Sequence, residues 1–318
     1  MAIDRTTTIL RTEGLTKRYG STVGLDNLTI NVHRGEVFGY IGPNGAGKTT
    51  TFRILCGLMD PTTGEAFIAD QNVTGNKDLI KRLVGFLPDN FGVYPTLQVW
   101  EYMDFFAAAY KVPKKQRAER IDFCLRIANA IEFRDKLMGS LSRGMKQRVG
   151  IAKTLLHDPQ VLILDEPAAT IDPRARVQMR ELLRDLADLG KAVLVSSHIL
   201  PELADVCDTV GILSSGKLIC CGPVGDILRR VRDERRLVEI SVLRDAGVAQ
   251  IILRDQAPGG WVQVQSRAAV NGTLHYECRC SDQELSQSLM LLLRGNVPVV
   301  NFSEVPPDLE EAFMTLTN

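Results

Sequence analysis

Three short stretches carry residues whose types and spacing suit one chemistry, the handling of a polyphosphate. GPNGAGKT, Gly42 to Thr49, has the spacing G-x-x-x-x-G-K-[ST] and stands between a strand-like run and a helical one. A polyphosphate needs backbone donors turned inward. Gly42, Asn44, Gly45 and Gly47 form a loop whose main chain can curl round an anion, with no side chain at Gly45 or Gly47 to block its approach. The helix that follows offers its first N–H groups, through Thr49 and Thr50, and the positive end of its dipole. Lys48 reaches the β- and γ-phosphates, and the Thr49 hydroxyl ligates Mg²⁺.

The second stretch, VLILDE, ends an apolar strand on Asp165 and Glu166. A carboxylate at the C-terminal edge of a strand stands where open α/β sheets bind ligands. Asp165 is expected to hold Mg²⁺, directly or through water, and Glu166 to orient or deprotonate an attacking water. His198, in VSSHIL, ends another strand, and as a neutral imidazole it can sense the terminal phosphate and the water. The third stretch, LSRGMKQRVG, poses a question. Ser142 caps a helix in the ordinary way, yet Gly144, a poor helix former, occupies the first turn.

The elements that must position these groups alternate along the first two thirds of the chain. EVFGYI (36–41), LVGFL (83–87), VLILD (161–165), AVLVSS (192–197) and TVGILS (209–214) are short, apolar and β-branched, as strands covered on both faces are. KTTTFRILCG, LQVWEYMDFFAAAYKV, QRAERIDFCLRIANAI (116–131) and RARVQMRELLRDLADLG read as helices between them, so this part is α/β. ILRTEGLTKRYG and LDNLTINVHRG alternate more and suggest an antiparallel flank. RRVRDERR (229–236) reads as a solvated helix end or a linker. Beyond it LVEISVL, WVQVQS, TLHYECRC and VVNFSEV read as strands, with DQELSQSLMLLLRG and DLEEAFMTLT as helices. If GVAQIILRD is helical the order is β-α-β-β-α-β, the ferredoxin-like pattern, although IIL fits a strand equally well. The expected division is 1–230 and 231–318.

Bulk properties narrow the function classes. The 318 residues carry 38 basic and 38 acidic side chains, a balance with no general pull toward nucleic acid. No apolar run approaches the roughly 20 residues of a membrane span, and the first residues lack the apolar core of a signal peptide. Seven cysteines without a CxxC pair suit a reduced, cytosolic chain without a cysteine metal site.

In order, GPNGAGKT, LSRGMKQR, VLILDEP, the turn AATIDPRAR and SSHIL resemble the nucleotide-binding subunit of ABC transporters, over roughly residues 9–230. The resemblance implies an α/β P-loop NTPase of ABC type, with an antiparallel β flank and a helical subdomain, followed by a small α+β domain. It implies ATP and Mg²⁺ as ligands and ATP hydrolysis as the reaction. Ser142 and the Gly144 N–H are then placed against the γ-phosphate held by a partner subunit, which answers the question about the glycine. Tyr19, in KRYGS, matches the aromatic that stacks on adenine, and Asp172 the loop between the two sites.

Three departures stand out against the family pattern. LSRGMKQR matches the family's Leu-Ser-Gly-Gly-Gln signature but has Arg143 for its first Gly and Met145 for Gln. The linking turn has Thr170-Ile171 where Gly-Leu or Ala-Leu is usual. Asp89, in GFLPDN, replaces the Gln that senses Mg²⁺, and it still offers an oxygen to a cation.

The single motif set, the LPDNFGVYPTLQVWEYM segment and the DLEEAFMTLT tail are similar to ATPase subunits of ABC-2-type exporters. That group implies a separate multi-span permease as partner, a homodimer or a heterodimer with another ATP-binding subunit, and a place in the cytoplasm on the inner face of the cell membrane. No nucleic-acid partner is expected. The competing readings are a soluble ABC ATPase acting on nucleic acid or ribosomes, and a weakly hydrolysing regulatory subunit.

Overall fold

The computed structural model describes residues 6–169, 171–198, 203, 205–234, 236–264 and 273–305. Thr170 and the DLEEAFMTLT segment lie outside them. The apolar runs become the strands Val37–Ile41, Val84–Leu87, Val161–Leu164, Ala192–Ser197 and Thr209–Ser214. Together with Lys217–Pro223 they form a six-stranded sheet. From one edge its order is Lys217–Pro223, Thr209–Ser214, Val37–Ile41, Ala192–Ser197, Val161–Leu164, Val84–Leu87. The pairs are parallel except at the first edge. Every residue of Val37–Ile41, Val161–Leu164 and Ala192–Ser197 is buried, as the unbroken apolar pattern requires.

The N-terminal segments form a second, antiparallel sheet around the long strand Thr8–Tyr19. One core joins the two sheets. Leu10, Leu15 and Ile68 of the antiparallel sheet, Phe38 and Tyr40 of the parallel one, and Phe52, Ile54 and Leu55 of helix Lys48–Leu55 belong to it. At roughly 1.5–3 kcal/mol for each large apolar side chain buried, this core fixes the helix that opens at the glycine-rich loop.

Helices Val99–Ala109, Lys114–Ile127 and Arg143–Thr154 make up the helical part. The middle one stops short of the expected 131. Asn129 has φ of 50°, in the left-handed region that ends helices, and a 3₁₀ turn, Ile131–Phe133, follows.

The chain separates into two compact units between Val224 and Gly225, six residues before the expected boundary. Helix Val224–Glu234 takes in most of the RRVRDERR charge run, so the change in composition falls inside a helix and not in a linker. The second unit has the strands Arg236–Val242, Val262–Val264, Thr273–Cys278 and Val299–Val305 and the helices Ala246–Asp255 and Asp282–Arg294. GVAQIILRD is therefore helical. All its strand pairs are antiparallel, and the first strand lies between the third and the fourth. This is the ferredoxin-like arrangement. Val238, Ile240, Ile252, Leu253, Trp261 and Leu292 lie in its own core.

Among the described residues no helix is long and apolar enough to cross a membrane.

Candidate functional site

Strand Val37–Ile41 delivers the chain to Gly42, whose Cβ position would lie 2.6 Å from the Leu213 carbonyl, so only glycine fits. Gly45 and Gly47 have φ of 82° and 105°, backbone that L side chains rarely adopt. Helix Lys48–Leu55 starts from Gly47 with no side-chain cap, which leaves its first N–H groups facing the loop. Lys48 is 6% exposed, and its Nζ donates to the carbonyls of Gly42 (2.5 Å) and Pro43 (3.3 Å). The ammonium is thereby held at the loop mouth.

The carboxylates meet the loop there. Thr49 Oγ1 donates to Asp165 Oδ2 at 3.0 Å. Ser196 Oγ donates to Asp165 Oδ1 at 2.6 Å and accepts from the Glu166 N–H at 2.9 Å. Glu166 has φ of 52°, unusual for a residue with a Cβ, and strain of this kind collects at functional sites. Its Oε2 pairs with His198 Nδ1 at 2.8 Å. Its buried Oε1 has no hydrogen-bond partner and lies 3.4 Å from Lys48 Nζ. Glu166 is thus aimed by two neighbours and keeps one lone-pair site in reserve.

A cavity of about 340 Å³ joins these groups. Tyr19, Asn44, Gly45, Gly47, Lys48, Thr49, Thr50, Asp89, Asp165 and Glu166 line it, together with Gly24 and Pro43. Tyr19 is 45% exposed, and its hydroxyl lies 3.3 Å from Thr50 Oγ1. Its ring rests on Gly24, where a Cβ would approach within 2.7 Å.

Of the expected site residues, Gly42, Ser142, Gly144, Asp172 and His198 do not line this cavity, although His198 reaches it through Glu166. Ser142 and Asp172 cap helices Arg143–Thr154 and Pro173–Asp188, their side chains accepting from Met145 N and Ala175 N. Gly144 stands beside Ala175 and Ile171. Asp89 reaches the cavity rim, and its ionic partner is Arg143.

Two contributors escaped the sequence reading. Ser196 joins Asp165 to Glu166, and its signal was a polar pair ending a fully buried apolar strand. Gly24 makes room for the Tyr19 ring, and a lone glycine in a strand carries no comparable signal.

The oxygens of Thr49 and Asp165, side by side at the cavity wall, suit Mg²⁺, which takes one or two protein oxygens and fills its octahedron with water and phosphate. The loop, the uncapped helix and the buried ammonium suit the phosphates themselves.

Known proteins resemble this chain in sequence and fold. The ABC transporter family profile matches residues 25–169. The bacitracin transport ATP-binding protein BcrA of Bacillus licheniformis is 42% identical over 226 residues, 71% of this chain and 73% of that one. The uncharacterized ABC transporter ATP-binding protein YhcH of Bacillus subtilis is 32% identical over 311 residues, 98% of this chain and 96% of that one, so the likeness extends through both units. A solved ATP-binding subunit of an ABC transporter superposes with a TM-score of 0.63 at 30% identity, covering 70% of this chain and 93% of that one. With this fold, this loop and these relatives, the chain belongs to the ATP-binding proteins of ABC transporters, binding and hydrolysing ATP as their energy-supplying subunit.

Proposed function

We propose that this chain is the ATPase of an ABC-2-type exporter, acting as a pair of copies beneath a separate multi-span permease, on the inner face of the cell membrane. The observation that carries the reading is the division of the site. One chain's cavity gathers the phosphate loop, Asp165 and Glu166, while Ser142 and Gly144 are not among the residues that line it and stand at an exposed helix start.

In this mechanism the loop N–H groups, the helix N-terminus and Lys48 bind the triphosphate, and the Tyr19 ring stacks on the base. Thr49 and Asp165 would hold Mg²⁺, and Asp89, at the rim of the same cavity, offers a further carboxylate. When bound, the ion neutralises phosphate charge and orients the terminal group. Glu166 turns a water toward the γ-phosphorus and takes its proton, so that a water O–P bond forms as the bond to the ADP oxygen breaks. His198 holds Glu166 in that orientation. Ser142 and the N-terminus of helix Arg143–Thr154 face the γ-phosphate bound by the second copy, with Asp172 in the loop between the sites.

Each ATP then bridges two chains and favours the closed pair, a differential affinity that can drive a coupled membrane protein. The segment from Asp89 to Tyr102 carries the movement to the permease, and the domain from 231 onward is accessory to it. Export in this scheme rests on the likeness to ABC-2-type subunits.

Purification of the tagged chain from detergent-solubilised membranes of its native cell tests the reading. A stoichiometric multi-span protein, with ATPase activity lost in Glu166→Gln, is expected. Recovery only with ribosomes or nucleic-acid proteins would overturn it.

A further inference from the structure

The two charged departures from the family pattern, Asp89 and Arg143, are 54 residues apart in sequence, yet Arg143 Nη2 lies 3.5 Å from Asp89 Oδ1. Each is awkward where it stands. Asp89 adds a third carboxylate to the cavity, where Lys48 supplies the ammonium among the described lining residues. Asp165 is tied to Thr49 and Ser196, and Glu166 to His198 and Lys48. Among the described lining residues, Asp89 is therefore the carboxylate without a cationic or hydrogen-bonding neighbour inside the cavity. Arg143 opens a helix with no acidic residue in its first turn, and a cation there opposes the positive end of the helix dipole. Pairing relieves both. The side chains are about half exposed, at 52% and 53%, so the pair adds little to stability, and its consequence is to be sought at the cavity.

We propose that Arg143 is a positioning residue for the nucleotide site of its own chain. Its guanidinium holds and neutralises Asp89 at the rim of the phosphate cavity, so that a signature-helix side chain sets nucleotide affinity in cis. This is separate from the role of Ser142 and Gly144 toward a second copy. It rests on the reading of the cavity as the ATP site.

Equilibrium binding of ATP to the intact chain, with a chelator and at low salt, tests it. Arg143→Ala is expected to weaken ATP binding about threefold, as suits an exposed charge pair. Arg143→Glu, which sets two carboxylates side by side, is expected to weaken it roughly tenfold. Arg143→Lys retains affinity near the original. In an Asp89→Asn background Arg143→Ala has no further effect, and high salt shrinks every difference. The effect is unchanged across a series of chain concentrations, as a cis contact requires, and the melting midpoints stay together.

Unchanged affinity in Arg143→Ala would overturn the proposal. An equal loss in the Asp89→Asn background would do so too, because Arg143 would then be acting directly on the nucleotide. So would a loss that tracks a fall in melting midpoint. An unsubstituted chain that binds no ATP would remove the underlying reading and this proposal with it, whereas intact binding with additive variants removes the proposal alone.

Discussion

At the edge of the parallel sheet, Ser196 links Asp165 and Glu166 by hydrogen bonds, whereas the N-terminus of helix Arg143–Thr154 turns Ser142 and Arg143 to the exposed surface. The sheet edge is complete within one chain. Its carboxylates are oriented by neighbours and stand against the glycine-rich loop, the preorganisation that the proposed hydrolysis depends on. Apart from the Arg143–Asp89 pair, the helix end serves its own chain as a capped helix, and its glycine is spare. Under the proposed pairing of two copies, the difference teaches how labour is divided across a shared site. In the proposed scheme the groups that do chemistry are held by hydrogen bonds within their own chain, and the groups that meet the neighbour's nucleotide stand at an exposed helix end.

The contrast breaks first at Glu166. Glu166→Gln is expected to lower turnover by roughly 10²- to 10⁴-fold while retaining ATP, as phosphate release and equilibrium binding will show. Lys48→Ala acts on binding itself. Losing a charge-assisted contact to phosphate is expected to weaken ATP roughly ten- to hundredfold in the same binding assay. At the helix end the outcome is reversed. Gly144→Ala has room, its Cβ meeting Ala175 at an ordinary 3.4 Å. The fold and single-chain ATP affinity are expected to persist within about 0.5 kcal/mol, while turnover falls about tenfold as the added methyl obstructs the neighbour's phosphate. Equal turnover in Gly144→Ala would erase the division of labour.

The smallest effect lies away from both regions. His157 stacks on Tyr110, bonds to the Val84 carbonyl, and has Arg120, Asp158 and Lys191 around it. Burial is the largest influence on it and lowers its pKa below the ordinary value of 6.5. The folded state thus favours the neutral ring, and the unfolded chain binds the proton more readily. The stability this contributes is fully present above pH 6.5 and is lost as pH falls through the lower, folded value. Denaturant melts across that window should show the slope, and His157→Phe should flatten it.

The sequence made the rigid half more legible than the outward half. GPNGAGKT and VLILDE are local patterns, each confined to one strand–loop junction, and the structure brings their residues together around one cavity. The parallel strands were legible because both faces are covered, which leaves an unbroken apolar run. What escaped was non-local. Ser196 belongs to the site through a strand neighbour, and Arg143 meets Asp89 across 54 residues. Nothing in either local stretch encodes such pairings. In the second unit the IIL run of Ala246–Asp255 was ambiguous because a short apolar run fits either period, and packing onto the antiparallel sheet makes it a helix.

Sedimentation of the Glu166→Gln chain with Mg-ATP, compared with the same chain without nucleotide, tests most directly whether the helix end completes a neighbour's site. The account predicts a monomer that becomes a dimer when ATP is added, and a return to monomer when Ser142 is also replaced by Arg. A chain that binds ATP yet remains monomeric at every concentration would contradict it.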